Sequence, residues 1–339
     1  MVKKILSLLK YLIFLGGGLL LVWWQLHSMT TEQENQFKDA FKSAHYLLVI
    51  PVVLMNLLSH LSRSMRWKLL MEPLGYKPSL KNVFGATMVG YLANSAVPRL
   101  GEVLKCTLLA KYEKLPADKL IGTILIERTF DLITYVFFVV FTVVIQIDIV
   151  GGFVKNKLLI AAEGAFPWWA KGIILILIIF LIILFIKKIF KKFSANKTVV
   201  SIKHFFEGIG KGFAAIKKLK DRRAFIFHTV FIWSMYLLQI YLGFKAMDAT
   251  ADLNLKAACS VLSLSTLAMI LTPGGIGSFP FFVMETLGIY GIASTQGNAF
   301  GWLIWGVSTG IIIVAGLLSL VLLPYINKKK NEVHISDTQ

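Results

Sequence analysis

The chain has 339 residues, of which 56% are apolar and 16% charged, and its 36 Lys+Arg against 18 Asp+Glu give a formal net charge of +18. Soluble domains carry about 25% charged residues, so this composition excludes an ordinary soluble protein, a disordered chain, a collagen and a disulfide-rich scaffold. It describes an all-α, polytopic integral membrane protein, and the basic residues flank apolar segments, which points to an anionic lipid surface and not to nucleic acid.

The first apolar run, Ile5–Leu26, follows Lys3 and Lys4 and ends near the pair Trp23 and Trp24, with no small-x-small cleavage site after it. It reads as a retained signal-anchor helix. Further runs at 45–66, 120–146, 167–187, 224–246 and 300–325 are long enough to cross a hydrocarbon core of about 30 Å. The expected layout is six full spans. Two more apolar stretches, 83–110 and 256–292, are interrupted and read as broken or re-entrant hairpins, giving up to ten membrane segments. The first breaks between Asn94 and Glu102 and leaves arms of about 11 residues, short for a crossing. The second breaks at Thr272–Gly277 with longer expected arms, so two tilted crossings also fit.

A single transmembrane domain over 1–339 is expected, with a basic amphipathic connection at 188–223 and a tail at 326–339. Placing the termini, 63–82, 99–119 and 187–223 on the cytoplasmic face puts 28 Lys+Arg there against 8 Asp+Glu. That bias predicts cytoplasmic N- and C-termini, with the two broken hairpins entering from opposite faces as in some transporters.

Three segments carry candidate chemistry. In the first break, Asn94, Pro98, Arg99, Gly101, Glu102 and Lys105 combine a helix opening with two cations suited to a phosphate, and Glu102 is expected to pair with Arg99 or Lys105. The alternative is a cytoplasmic loop whose charges face water. On the third span, Glu127, Arg128 and Asp131 lie at a depth where charge is costly unless paired or wet. They suit a cation, a proton, the positioning of Arg99 and Arg128 on a lipid phosphate, or a structural ion pair. In the second break, Pro273 with Gly274, Gly275 and Gly277 leaves backbone amides able to face an anion, or forms a plain tight turn. Glu285 is the one acid of its apolar stretch and either completes a polar cavity or faces water. Gly306 and Gly310 have the GxxxG spacing that permits close helix packing. Cys106 and Cys259 lie in apolar surroundings, and no metal-ligand or Walker spacing occurs.

On these residues the chain resembles the lysylphosphatidylglycerol synthase transmembrane-region family, flippase-like integral membrane proteins, over about residues 5–325. The family's Asn, Pro, Arg and Gly-Glu segment resembles Asn94, Pro98, Arg99, Gly101 and Glu102; its Glu-Arg-x-x-Asp matches Glu127, Arg128 and Asp131; its Pro-Gly-Gly-x-Gly matches Pro273, Gly274, Gly275 and Gly277. Where family members often carry a glutamate, this chain has Ser278, Phe279 and Pro280, and its next acid is Glu285. The resemblance implies a bacterial inner-membrane flippase or transporter for a phospholipid or lipid-linked substrate, without the soluble synthase domain and without a cofactor. Arg99, Lys105 and Arg128 would hold an anionic phosphate, Glu102, Glu127 and Asp131 would organise them, and Asn94 and Gly274–Gly277 would add contacts. The alternatives are a membrane transferase acting on a lipid-linked sugar or polyprenyl phosphate, and a membrane partner of a separate synthase. A homo-oligomer is a further expected arrangement.

Overall fold

Helices make up nearly all of the structure, a computed structural model describing residues 15–25, 27–146 and 219–336, with side chains described as far as Lys328 apart from that of residue 271. In chain order they are α1 (15–25), α2 (Thr31–Lys42), α3 (Val49–Met71), α4 (Leu80–Ala96), α5 (Leu100–Glu113) and α6 (Ala117–Ile145). After residues outside the description come α7 (Arg222–Phe244), α8 (Leu255–Leu271), α9 (Ser278–Gly288) and α10 (Ser294–Ser336). The chain divides into two compact units, residues 1–128 with 218–339, and residues 129–217. Of the second, only the continuation of α6 and its end at Gln146 are described.

Polar residues set the helix starts. Thr30 and Gln33 form a capping box on α2, while Ser79, Asp221 and Asn254 accept hydrogen bonds from the first-turn amides of α4, α7 and α8. Four segments are long and apolar enough to cross a membrane: Tyr46–Leu74, Ala117–Ile145, Arg222–Phe244 and Ser294–Lys328. They coincide with the expected spans at 45–66, 120–146, 224–246 and 300–325. The 167–187 span and nearly all of the 188–223 connection lie outside the described residues, and 5–26 is described only from residue 15. The protein is thus an all-α polytopic membrane protein with four clear spans among the described residues. Leu125, Phe137 and Val321 are each at least 70% exposed, a waste of transfer free energy in water but no cost against acyl chains.

In the first unit α3 packs on α7 and α4, α10 packs on α9 and α4, and α8 touches both α7 and α9. The two interrupted stretches differ from expectation in length. The arms of the first, α4 and α5, have 17 and 14 residues, and those of the second, α8 and α9, have 17 and 11. The shorter arm therefore belongs to the second stretch, where α9 reaches about 16 Å, well short of a crossing. The helices of the first stretch extend through Leu80–Asn82 and Lys111–Glu113, polar ends that lie outside the apolar stretch at 83–110. Asn82 and Asn327 exchange amide hydrogen bonds of 2.9 and 2.8 Å, and Asn82 also donates to Glu113, tying α4, α5 and α10 together.

Close helix contact on α10 falls elsewhere than the GxxxG spacing implies. Among the described residues nothing approaches the positions of a Cβ on Gly306 or Gly310, whereas Gly301 abuts Pro280 and Gly316 abuts Leu92 and Met88. Among the described residues, the close contacts of α10 lie along a different face from Gly306 and Gly310.

Candidate functional site: a buried basic cluster around Glu127

The site is built by α3, α5 and α6. Glu127 is fully buried on α6, about 15 Å along the helix axis from its start at Ala117. Its Oε2 accepts a 2.9 Å hydrogen bond from Lys105 Nζ of α5. Its Oε1 lies 3.7 Å from Arg66 Nη2 and 3.8 Å from Arg63 Nη1, both on α3. Three cations thus meet one carboxylate in a setting where an uncompensated charge is strongly disfavoured.

The surrounding side chains hold these groups in place. Lys105 Nζ sits over the Trp67 ring at 4.4 Å, and Trp67 Nε1 donates to Thr123 Oγ1 at 2.8 Å. Arg66 lies over the Phe225 ring and donates to Thr229 of α7. Ring faces attract cations electrostatically, so Trp67 and Phe225 add to the pull of Glu127. Arg128 is turned from Glu127 to Glu102, with Nε and Oε1 3.0 Å apart and both side chains about one-third exposed.

Glu102 was expected to pair with Arg99 or Lys105; the structure pairs it with Arg128, because Lys105 is drawn inward to Glu127. Arg99 stands apart. It precedes α5 in a left-handed conformation (φ 66°) and is exposed, so it is not part of the basic cluster. Asn94 is a backbone brace: its Oδ1 accepts the Gly101 amide at 2.8 Å, a capping bond that Arg99 does not make. A Cβ on Gly101 would overlap the Gly90 carbonyl, so only glycine lets α4 and α5 approach this closely. Asp131 lies four residues past Glu127 on α6, within the second unit.

The second break is closed by side chains from other helices. Trp305 Nε1 of α10 donates to the Gly274 carbonyl and Gln25 Nε2 of α1 to the Gly277 carbonyl, each at 2.8 Å. Opened backbone within a bilayer needs such partners. The Gly275 amide donates back to Thr272, and Thr272 and Ser278 join hydroxyls at 2.5 Å. Gly275 and Gly277 are buried, Gly277 with φ 69° against α1. Gly274 faces the first break: a Cβ there would lie 3.5 Å from that of Ser95. The two breaks therefore touch. Glu285 is exposed on α9.

Sequence reasoning missed Arg63 and Arg66, which it counted as cytoplasmic charges. Their signal lies on α3, where Asn56, Ser59, His60, Arg63, Arg66 and Trp67 fall at helical spacing and are all buried.

The model of the lysylphosphatidylglycerol synthase TM region matches residues 7–316. A UPF0104 membrane protein of Methanocaldococcus jannaschii is 25% identical over 303 residues, covering 84% of this chain and 87% of that protein. No solved structure matches the chain. With its helical membrane architecture and a family match over most of its length, the chain belongs to the lysylphosphatidylglycerol synthase transmembrane-region family.

Proposed function

We propose that the protein moves a phospholipid or another lipid-linked phosphate between leaflets, with the phosphate handled by Lys105, Arg63 and Arg66 and by the neighbouring Arg128. One observation carries this reading: three buried basic side chains, two from the spanning helix α3 and one from α5 of the first interrupted stretch, converge on Glu127 of the spanning helix α6. Glu127 holds the cations in position. A lipid phosphate, like a carboxylate, offers two anionic acceptor oxygens and competes for Lys105 and the guanidinium groups. Glu102 tunes that competition by engaging Arg128, and the glycine break at Gly274, Gly275 and Gly277 gives the joint at which the two interrupted stretches meet. Arg99, exposed at the tip of the first hairpin, is suited to the first encounter with an anionic headgroup.

Leaflet-resolved transport of a fluorescent phospholipid by the purified protein in liposomes tests this. Lys105→Met and Glu127→Gln are expected to lower the rate about tenfold or more while the protein stays monodisperse, because truncating one partner of a buried charge pair costs several kcal/mol. Transport at the wild-type rate in both variants would remove the cluster from the mechanism. Turnover of a lipid-linked donor without transport would support an enzyme instead.

A further inference from the structure

Lys105 is held along its whole length. Its stem leaves α5 against α4, where a Cβ on Gly90 would come within 3.1 Å of Lys105 Cβ. Its Nζ then reaches a point shared by two other helices, 2.9 Å from Glu127 Oε2 of α6 and 4.4 Å from the centroid of the Trp67 ring of α3. The ring is as firmly placed as the lysine. Trp67 is fully buried, and its Nε1 donates to Thr123 Oγ1 at 2.8 Å. Thr123 sends its own proton to the Leu120 carbonyl at 2.6 Å, so its lone pairs stay free for the indole. Thr123 also lies one turn before Glu127 on α6. One helix face therefore supplies both the carboxylate that pairs with the lysine and the anchor that aims the ring at the same lysine.

The two attractions differ in when they act. While Nζ is paired with a carboxylate or a phosphate, that anion offsets most of its charge and the ring adds little. During an exchange of anions the offset is lost, and in a buried setting the loss is costly. The electron-rich face of the indole stays in place at that moment and meets the full positive charge. An interaction that is stronger in the transition state than in either end state speeds a step without tightening binding. A tryptophan that merely fills the core contributes its volume and its N–H bond, neither of which depends on the electron density of the ring face.

Resting on the phosphate reading above, we infer that Trp67 is a positioning residue for lipid transport: held by Thr123, its ring keeps the Lys105 ammonium in place while a lipid phosphate replaces Glu127 as its partner. The lysine changes partners without swinging away, and the indole face lowers the barrier to the change.

Site-specific incorporation of mono-, di- and trifluorotryptophan at position 67 of the full-length protein tests this, because fluorine draws electron density from the ring face and nearly keeps its shape. Transport of fluorescent phosphatidylglycerol in liposomes is measured as the lipid fraction is varied. The maximal rate is expected to fall with each added fluorine, by about tenfold or more across the series. Half-saturation should shift by less than about twofold, and the unfolding midpoint should not move. A maximal rate independent of fluorination, with Lys105→Met slowed, overturns the inference and leaves the phosphate reading standing. A fall in rate matched by a fall in the unfolding midpoint makes Trp67 a packing residue and also overturns it. So does a fall matched by weaker half-saturation, which places the ring in ordinary binding. If Lys105→Met transports at the wild-type rate, the phosphate reading fails and takes this inference with it. Thr123→Val gives a second route that needs no fluorinated protein, since it removes the acceptor of the indole N–H and nearly keeps the volume. It should slow the maximal rate, and Thr123→Ser, which keeps the hydroxyl, should recover most of the loss. Equal maximal rates in these two variants overturn the inference.

Discussion

At the scale of single residues, Glu127 is the counter-charge on which three helices depend. It is buried beside Lys105, Arg63 and Arg66, so removing its charge strands cations in a low-dielectric setting. Glu127→Gln is expected to destabilise the protein by about 3–5 kcal/mol, read as a fall in the midpoint of thermal unfolding in detergent. Adding Lys105→Met to it should restore part of the loss, since the double variant removes both ends of the 2.9 Å contact. A double-mutant cycle with a coupling of about 1–3 kcal/mol is the expected result; purely additive effects would show that the contact is not formed in the solubilised protein. Half of this cluster was legible in the sequence. Lys105 and Glu127 stood out as charges near or within apolar runs. Arg63 and Arg66 did not, because a hydropathy window ends the span where the charges begin, whereas the helix continues to Met71. The partner of Glu102 was not legible either, since i,i+3 and i,i+4 spacing ranks only neighbours on one helix, while Arg128 lies on another.

At the scale of elements, the interrupted stretches work by close backbone approach. Gly101 packs on the Gly90 carbonyl, and any Cβ there meets backbone that cannot swing away. Gly101→Ala is expected to cost at least about 1–3 kcal/mol by overpacking and to loosen the α4–α5 hairpin, measurable as faster amide exchange in residues 90–105. Gly122→Ala on α6 is the matched control, for no described residue approaches within 4 Å; gaining helix propensity, it should be neutral or stabilising by up to about 1 kcal/mol. The breaks themselves were plain from Pro98 and from Pro273 with its glycines. Their arm lengths were not, because Asn82 and Glu113 are polar yet buried or half-buried by pairing with Asn327 and Ser79.

For the whole molecule, the decisive contact is between the two breaks. A Cβ built on Gly274 lies 3.5 Å from Ser95 Cβ, within the range of about 3.5–4.5 Å that a disulfide spans. In a background with Cys106 and Cys259 replaced, Ser95→Cys with Gly274→Cys is expected to cross-link under mild oxidation and to stop lipid transport, with reductant restoring it. Gly274 has φ 60°, so the backbone strain of its cysteine is checked by the unfolding midpoint; no cross-link at an unchanged midpoint would mean that the breaks are not apposed in the membrane. A cross-linked protein that still transports would mean that they stay together throughout the cycle. This convergence follows from two stretches separated by well over 100 residues of sequence. Opposed charge bias suggested it, but a single sequence holds no information on which carbonyls Trp305 and Gln25 reach.

The polar face of α3 has a further consequence for how the chain is made. Two arginines within one apolar helix each add about 2.5–3.5 kcal/mol to its insertion free energy, and the carboxylate that offsets them is on α6, about 60 residues further along. At ribosomal speeds of about 5–20 residues per second that interval is several seconds. Over that interval α3 carries two arginines without their carboxylate, so its stable insertion is expected to depend on the arrival of α6.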